Sequence, residues 1–195
     1  MRDKIVGIET IAERKFLKMV GIYWQDREGN LREWEAIRRT TGAEIVSVIP
    51  VTDNGEVILI EQFRPPVGKM VIEFPAGLCD QDEIFEEAAV RETREEIGYQ
   101  AGKIRKLFAG PVSAGLSHEF LTVFLATNLK FVGKEDGQEE REITVYEISL
   151  KEVDEWLDSK EKRGVLVDVK IKAYISYVKN ILAPQHSISI ALKNI

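Results

Sequence analysis

Apolar and polar residues alternate through Phe16–Trp24 and Leu31–Arg38, the two-residue period of half-buried strands. The stretch between them, QDREGN at 25–30, carries a Gly-Asn pair that favours a hairpin turn, so a small N-terminal antiparallel sheet is expected. Ala43–Val51 and Glu56–Phe63 are richer in Val and Ile, and with Asp53, Asn54 and Gly55 between them they predict a second hairpin of central strands. Met70–Phe74 reads as a further short strand that stops at Pro75. The period then lengthens. Phe85, Ala89, Thr93 and Ile97 form an apolar row at helical spacing, which predicts a helix that starts between Asp82 and Phe85 and ends at a left-handed Gly98. Beyond it, Lys103–Ala109, Phe120–Asn128 and Ile143–Ile148 read as strands, and Leu150–Lys160 and Asp168–Leu182 as helices. This order implies an α/β fold, a mixed sheet covered by helices, with residues 1–42 as an N-terminal β-sheet element and 43–195 as the main domain.

Composition narrows the function classes. The chain has 195 residues, 44% of them hydrophobic and 31% charged, enough for a filled core. A net charge of −6 argues against a surface that coats nucleic acid, because such binding rests on clustered Lys and Arg. The single cysteine, Cys79, cannot form an internal disulfide, and no long apolar run predicts a membrane span. A cytoplasmic protein without a nucleic-acid or membrane partner is the expectation.

The predicted helix also carries the chemistry. At about 100° per residue, Glu92, Glu95 and Glu96 project within an arc of roughly 100°. Like charges at these spacings cost a helix about 0.2–0.5 kcal/mol per pair, a conflict that a divalent cation would resolve. Hard carboxylate oxygens suit Mg²⁺ or Mn²⁺. An acidic solvated face is the alternative reading of such a run. Against it stand Gly77, Glu83, Arg91 and Gly98 at fixed offsets, since seven specified positions coincide by chance roughly once in 10⁸ windows at usual residue frequencies. An Arg eight residues after a Glu can pair with it or with nearby helix carboxylates and orient ligands. Gly77 is expected to provide a strained turn that exposes the carbonyl before it.

The window GLCDQDEIFEEAAVRETREEIGY at 77–99 resembles the Nudix box, and departs from it only where Thr93 and Tyr99 stand in aliphatic slots. The resemblance implies the Nudix α/β/α sandwich over 43–195 and metal-assisted hydrolysis of a diphosphate. It assigns Glu92 and Glu96 to catalysis, and the Ala76 carbonyl, Glu92, Glu95 and Glu96 to two or three Mg²⁺ ions, with Mn²⁺ as an alternative.

Three stretches, EWEAIRRTT at 33–41, EQFRPPVGKMVIEFPAGL at 61–78 and SAGLSHE at 113–119, resemble the ADP-ribose and ADP-sugar diphosphatase branch. By that resemblance Trp34 and Phe16 stack on adenine and Glu35 accepts from its amino group. Arg39 and Arg64 contact phosphates or the distal ribose, and Leu78, Gly115 and Leu116 complete the substrate site. Read on residue type alone, Trp34 and Glu35 are also compatible with an ordinary edge strand, and Glu73 with an ion pair to Arg64. Ala114 stands where the branch commonly has Pro. The resemblance also places the carboxylate that positions or deprotonates the attacking water in the acidic loop 135–142, with Glu139, Glu140 and Glu142 as candidates, rather than on His118. The implied substrate is a nucleoside diphosphate sugar, and the implied assembly a homodimer through the N-terminal sheet, which binds the base as well. GDP-mannose, a dinucleoside polyphosphate or an RNA 5′ end would be alternative substrates, and a non-catalytic nucleotide-sugar sensor an alternative function.

Overall fold

The computed structural model describes residues 2–134 and 142–183. Strands β1 (Lys4–Glu13), β2 (Leu17–Gln25) and β3 (Leu31–Arg39) form a three-stranded antiparallel sheet in that order. The β2–β3 hairpin follows the expected alternation, with Ile22 opposite Trp34 and Gly21 opposite Glu35. β1 was not anticipated by the period-two pattern. Its register against β2 shifts between Ile5 and Gly7 and again between Thr10 and Ala12, and each irregularity interrupts the alternation that marks a strand in sequence.

The rest of the chain builds two four-stranded sheets. One has the order β7 (Ala76–Leu78), β4 (Ile45–Pro50), β9 (Phe120–Phe131) and β8 (Tyr99–Pro111). The other has the order β10 (Thr144–Ser149), β5 (Glu56–Arg64), β6 (Lys69–Glu73) and β11 (Leu166–Val167). Both are mixed, since β4 runs parallel to β9 and β6 parallel to β11 among otherwise antiparallel pairs. The second hairpin expected between Ala43 and Phe63 is not formed as such. The chain turns at Thr52–Glu56, with Gly55 at φ 77°, but past a single bridge from Val51 to Val57 the strands part into different sheets. Val46, Val48, Ile49 and Val57–Ile60 are fully buried, so their composition reports burial on both faces. It does not report the pairing partner.

Three helices cover these sheets: α1 (Phe85–Ile97), α2 (Val153–Lys162) and α3 (Lys170–Leu182). The α1 side is built from Val46, Val48, Phe124 and Ala126 packed with Ala88 and Ala89, and Ile97 extends it onto Ile58 and Ile60. The opposite side packs Val57, Leu59, Val123 and Leu125 with Val153 and Leu157 of α2 and Ile171 and Ile175 of α3. Alternate residues of one strand thus serve opposite layers, which makes an α/β/α sandwich. Among the described residues, no helix is long and apolar enough to cross a membrane.

Two features fix α1 in place. Gly98 closes it in the left-handed conformation, φ 77° and ψ 21°, with its N–H on the Arg94 carbonyl. Thr93 is fully buried in the apolar row, and its hydroxyl donates to the Ala89 carbonyl at 2.6 Å, so its polar atom is satisfied inside the helix.

Candidate active site

The short strand β7 runs beside the acidic face of α1. Glu92 and Glu96 are only 8% and 9% exposed, and Glu96 accepts a hydrogen bond from the Ala76 N–H at 3.0 Å. A Cβ on Gly77 would lie 1.9 Å from a Glu92 carboxylate oxygen. Gly77 is therefore required for close approach of Glu92 to the backbone. The strained turn expected from sequence is absent, because Gly77 lies within β7 and is not among the glycines with positive φ.

Arg91 organises the acids around it. Its Nε and Nη2 grip both oxygens of Glu83 at 3.0 and 2.9 Å, Nη1 reaches Glu92 at 2.7 Å and Glu95 at 3.2 Å, and Nη2 also donates to the Leu78 carbonyl at 2.9 Å. Glu83 accepts in addition from the Asp80 N–H, so the turn before α1 is tied to the same fork. Cys79 is buried in this turn with its thiol against the Glu83 carbonyl, a packed residue whose pKa burial pushes up.

A second group of expected residues meets at the 113–119 loop. The Trp34 indole is 54% exposed, and its Nε1 donates to the Gly115 carbonyl at 3.0 Å. The Ile37 N–H donates to the Leu116 carbonyl and the His118 N–H to the Ile37 carbonyl, which stitches β3 onto the loop. Arg39 pairs with Glu119 at 2.7 Å. Glu119 was not singled out in sequence, although it closes the quoted 113–119 stretch. On the second sheet, Arg64 pairs with Glu73 at 2.6 Å, and Gln62 donates to the same carboxylate.

Not every residue joins these groups. Phe16 is exposed under the Lys15 ammonium, 4.8 Å from its ring centre. Glu35 follows Trp34 directly in β3, so the two side chains leave opposite faces of the N-terminal sheet. Glu139 and Glu140 lie outside the described residues, and Glu142 is exposed just before β10.

Residues 43–169 match the NUDIX domain. The chain belongs to the Nudix family. An uncharacterized Nudix hydrolase of Schizosaccharomyces pombe is 33% identical over 187 residues, covering 89% of this chain and 91% of that one. The ADP-ribose pyrophosphatase of Bacillus subtilis is 33% identical over 177 residues, covering 88% and 92%. A crystal structure of an ADP compounds hydrolase shares the fold at a TM-score of 0.75, with 22% identity and 93% and 95% of the two chains covered. As a member of the family this chain is a Nudix diphosphatase.

In the Nudix box of this chain a single guanidinium, Arg91, is shared by Glu83, Glu92 and Glu95, so negative charge is in excess. Among the described residues, no three acidic, His or Cys side chains stand close enough to hold a metal ion as they are. The 100° arc of glutamates does not close into one cluster because Arg91 draws Glu92 and Glu95 to itself while Glu96 turns to β7. Burial pushes the Glu92 carboxyl up from its ordinary pKa, against the opposing pull of Arg91, whereas the hydrogen bond from Arg91 holds Glu83 down. A buried carboxylate held against a backbone that only glycine permits is a suitable seat for a hard cation, so the donor set fits Mg²⁺ or Mn²⁺.

Proposed function

We propose that this Nudix diphosphatase hydrolyses ADP-ribose or a related ADP-sugar to AMP and a sugar phosphate. The observation that carries the choice of substrate is the exposed Trp34 indole, anchored at its edge by the Gly115 carbonyl with its face left open. A flat ring so held suits a stacked purine base. The relatedness to an ADP-ribose pyrophosphatase over nearly the whole chain supports adenine as that base.

The residues divide into two tasks. Trp34, Phe16, Gly115, Leu116 and Leu78 receive the nucleotide, and the forks of Arg39 and Arg64, now paired with Glu119 and Glu73, are preset for phosphate or ribose oxygens. The Ala76 carbonyl, Glu92, Glu95 and Glu96 would hold two or three Mg²⁺ ions, or Mn²⁺, which supply positive charge against the diphosphate and a lowered pKa for the attacking water. Glu139, Glu140 or Glu142 takes the proton of that water. Arg91 keeps Glu83, Glu92 and Glu95 in register with the strand beside them.

Residues 1–42 act as the base-binding and dimerisation element and 43–195 as the hydrolase domain. Exposed Ile5, Ile8, Leu17, Met19 and Leu31 leave the N-terminal sheet with apolar surface that a second copy of the chain would cover. Incubating the protein with ADP-ribose and Mg²⁺ or Mn²⁺ should release AMP and ribose 5-phosphate, and EDTA should stop the release. Faster hydrolysis of GDP-mannose than of ADP-ribose would overturn the substrate, and binding without products would overturn the reaction.

A further inference from the structure

The C-terminal end of α1 is tied to both flanks of the segment that joins β9 to β10. On the β9 side, the Val132 N–H donates to the Gly98 carbonyl at 2.9 Å, and the Phe131 ring meets the Tyr99 ring edge-on with centroids 5.2 Å apart. The approach is close. A Cβ on Gly98 would stand 2.9 Å from the Lys134 backbone nitrogen and 3.0 Å from the Gly133 carbonyl carbon. On the β10 side, the Tyr99 hydroxyl donates to the Glu147 carboxylate at 2.6 Å. The Tyr99 ring, Ile143 and Val145 all pack on the cluster of Ile58, Ile60 and Ile97. The flanks also meet each other, through a hydrogen bond of 3.2 Å from the Lys134 ammonium to the Ile143 carbonyl.

Tyr99 touches both sides, and it occupies a box position whose usual aliphatic residue could not donate to Glu147. Burial and then the Glu147 hydrogen bond push its phenol up to about 12, so it stays a donor throughout the neutral range. A plain hydrophobic plug would explain the ring. It would not explain a hydroxyl directed to an exposed carboxylate that water could solvate equally well.

We propose that Tyr99 is a positioning residue for hydrolysis: it fixes 131–134 and 143–147 against the end of the glutamate helix, and thereby sets where Glu142 stands relative to Glu92, Glu95 and Glu96. This rests on the reading above that these glutamates serve one hydrolytic site. Misplacing a reacting group by about 1 Å costs up to about 100-fold in rate without any loss of substrate contacts.

The test uses Y99F, Y99L, E147A and the double variant Y99F/E147A. With ADP-ribose, Y99F should lower kcat about 10-fold while KM and the unfolding midpoint stay near those of the native chain. E147A should do the same, and the double variant should be no slower than either single one, because all three lose one bond. Y99L should lower kcat further and raise amide exchange at Val132 about 10-fold, since the contact with Phe131 is lost as well. A Y99F variant with native kcat, or additive losses in the double variant, overturns the proposal. Val132 exchange is read without substrate. If the native chain releases no AMP, the substrate reading fails and exchange alone decides whether Tyr99 holds the flanks, with unchanged exchange in Y99L counting against it.

Discussion

The α1–β7 platform and the N-terminal sheet with its 113–119 rim solve opposite problems. In the platform the four box glutamates beside β7 are bonded: Arg91 engages Glu83, Glu92 and Glu95, β7 engages Glu96, and Glu92 and Glu96 are almost fully buried. The rim is held mainly by backbone hydrogen bonds and one indole edge, and it leaves Trp34, Leu116 and Phe16 more than half exposed. A buried, fully bonded site keeps one geometry but has no spare surface with which to choose a substrate. An exposed rim can choose, at the cost of weak internal support. Substitutions in the platform should therefore act on turnover, and those in the rim on affinity.

The sharpest attack on that contrast is Glu96→Gln. Gln keeps the shape and can still accept from the Ala76 N–H, so the fold should survive while the charge proposed to face a metal disappears. Turnover should fall by at least about 100-fold, with an unchanged circular dichroism spectrum. Retained activity would remove Glu96 from the mechanism. In the rim, Trp34→Ala should cost about 1–3 kcal/mol of base stacking, read as a rise in KM with a much smaller change in kcat. Trp34→Phe separates the two functions of the indole, because it keeps a ring and loses the bond to Gly115. A fall in kcat with native KM in both variants would contradict the division of labour.

The legibility of the two regions differs for physical reasons. The helix, its left-handed Gly98 stop and the Glu83–Arg91 pair could be read from sequence because helical contacts are local, within eight positions. The convergence of three glutamates could not, since direction on a helix says nothing about which of them Arg91 captures. The pairing of β4 and β5 with distant strands, and of Arg39 with Glu119, depends on contacts 76 to 93 residues apart that no local pattern records. The role of Gly77 was misread for the same reason: its constraint comes from a side chain fifteen positions later, and not from its own φ. Gly77→Ala tests that directly. The three atoms nearest the added Cβ all belong to the far end of the Glu92 side chain, so the cost to stability should stay within about 1–3 kcal/mol, while displacement of that carboxylate lowers kcat. A stable, fully active Gly77→Ala variant would mean that the seat of Glu92 is not used.

The smallest effect is expected at Thr93, where the box departs from its aliphatic pattern inside the platform. Its hydroxyl is fully buried, yet the Ala89 carbonyl that accepts it already lies in the helical ladder, so Val in its place would leave no orphaned acceptor. Val also has the same branched shape and would pack in the same apolar row between Ala89 and Ile97. Thr93→Val should therefore change unfolding stability by less than about 1 kcal/mol and leave kcat and KM as they are. A loss of turnover in this variant, with stability intact, would show that the ionic platform senses the packing beneath it, and the separation between a rigid platform and a tolerant scaffold would have to be drawn one layer deeper.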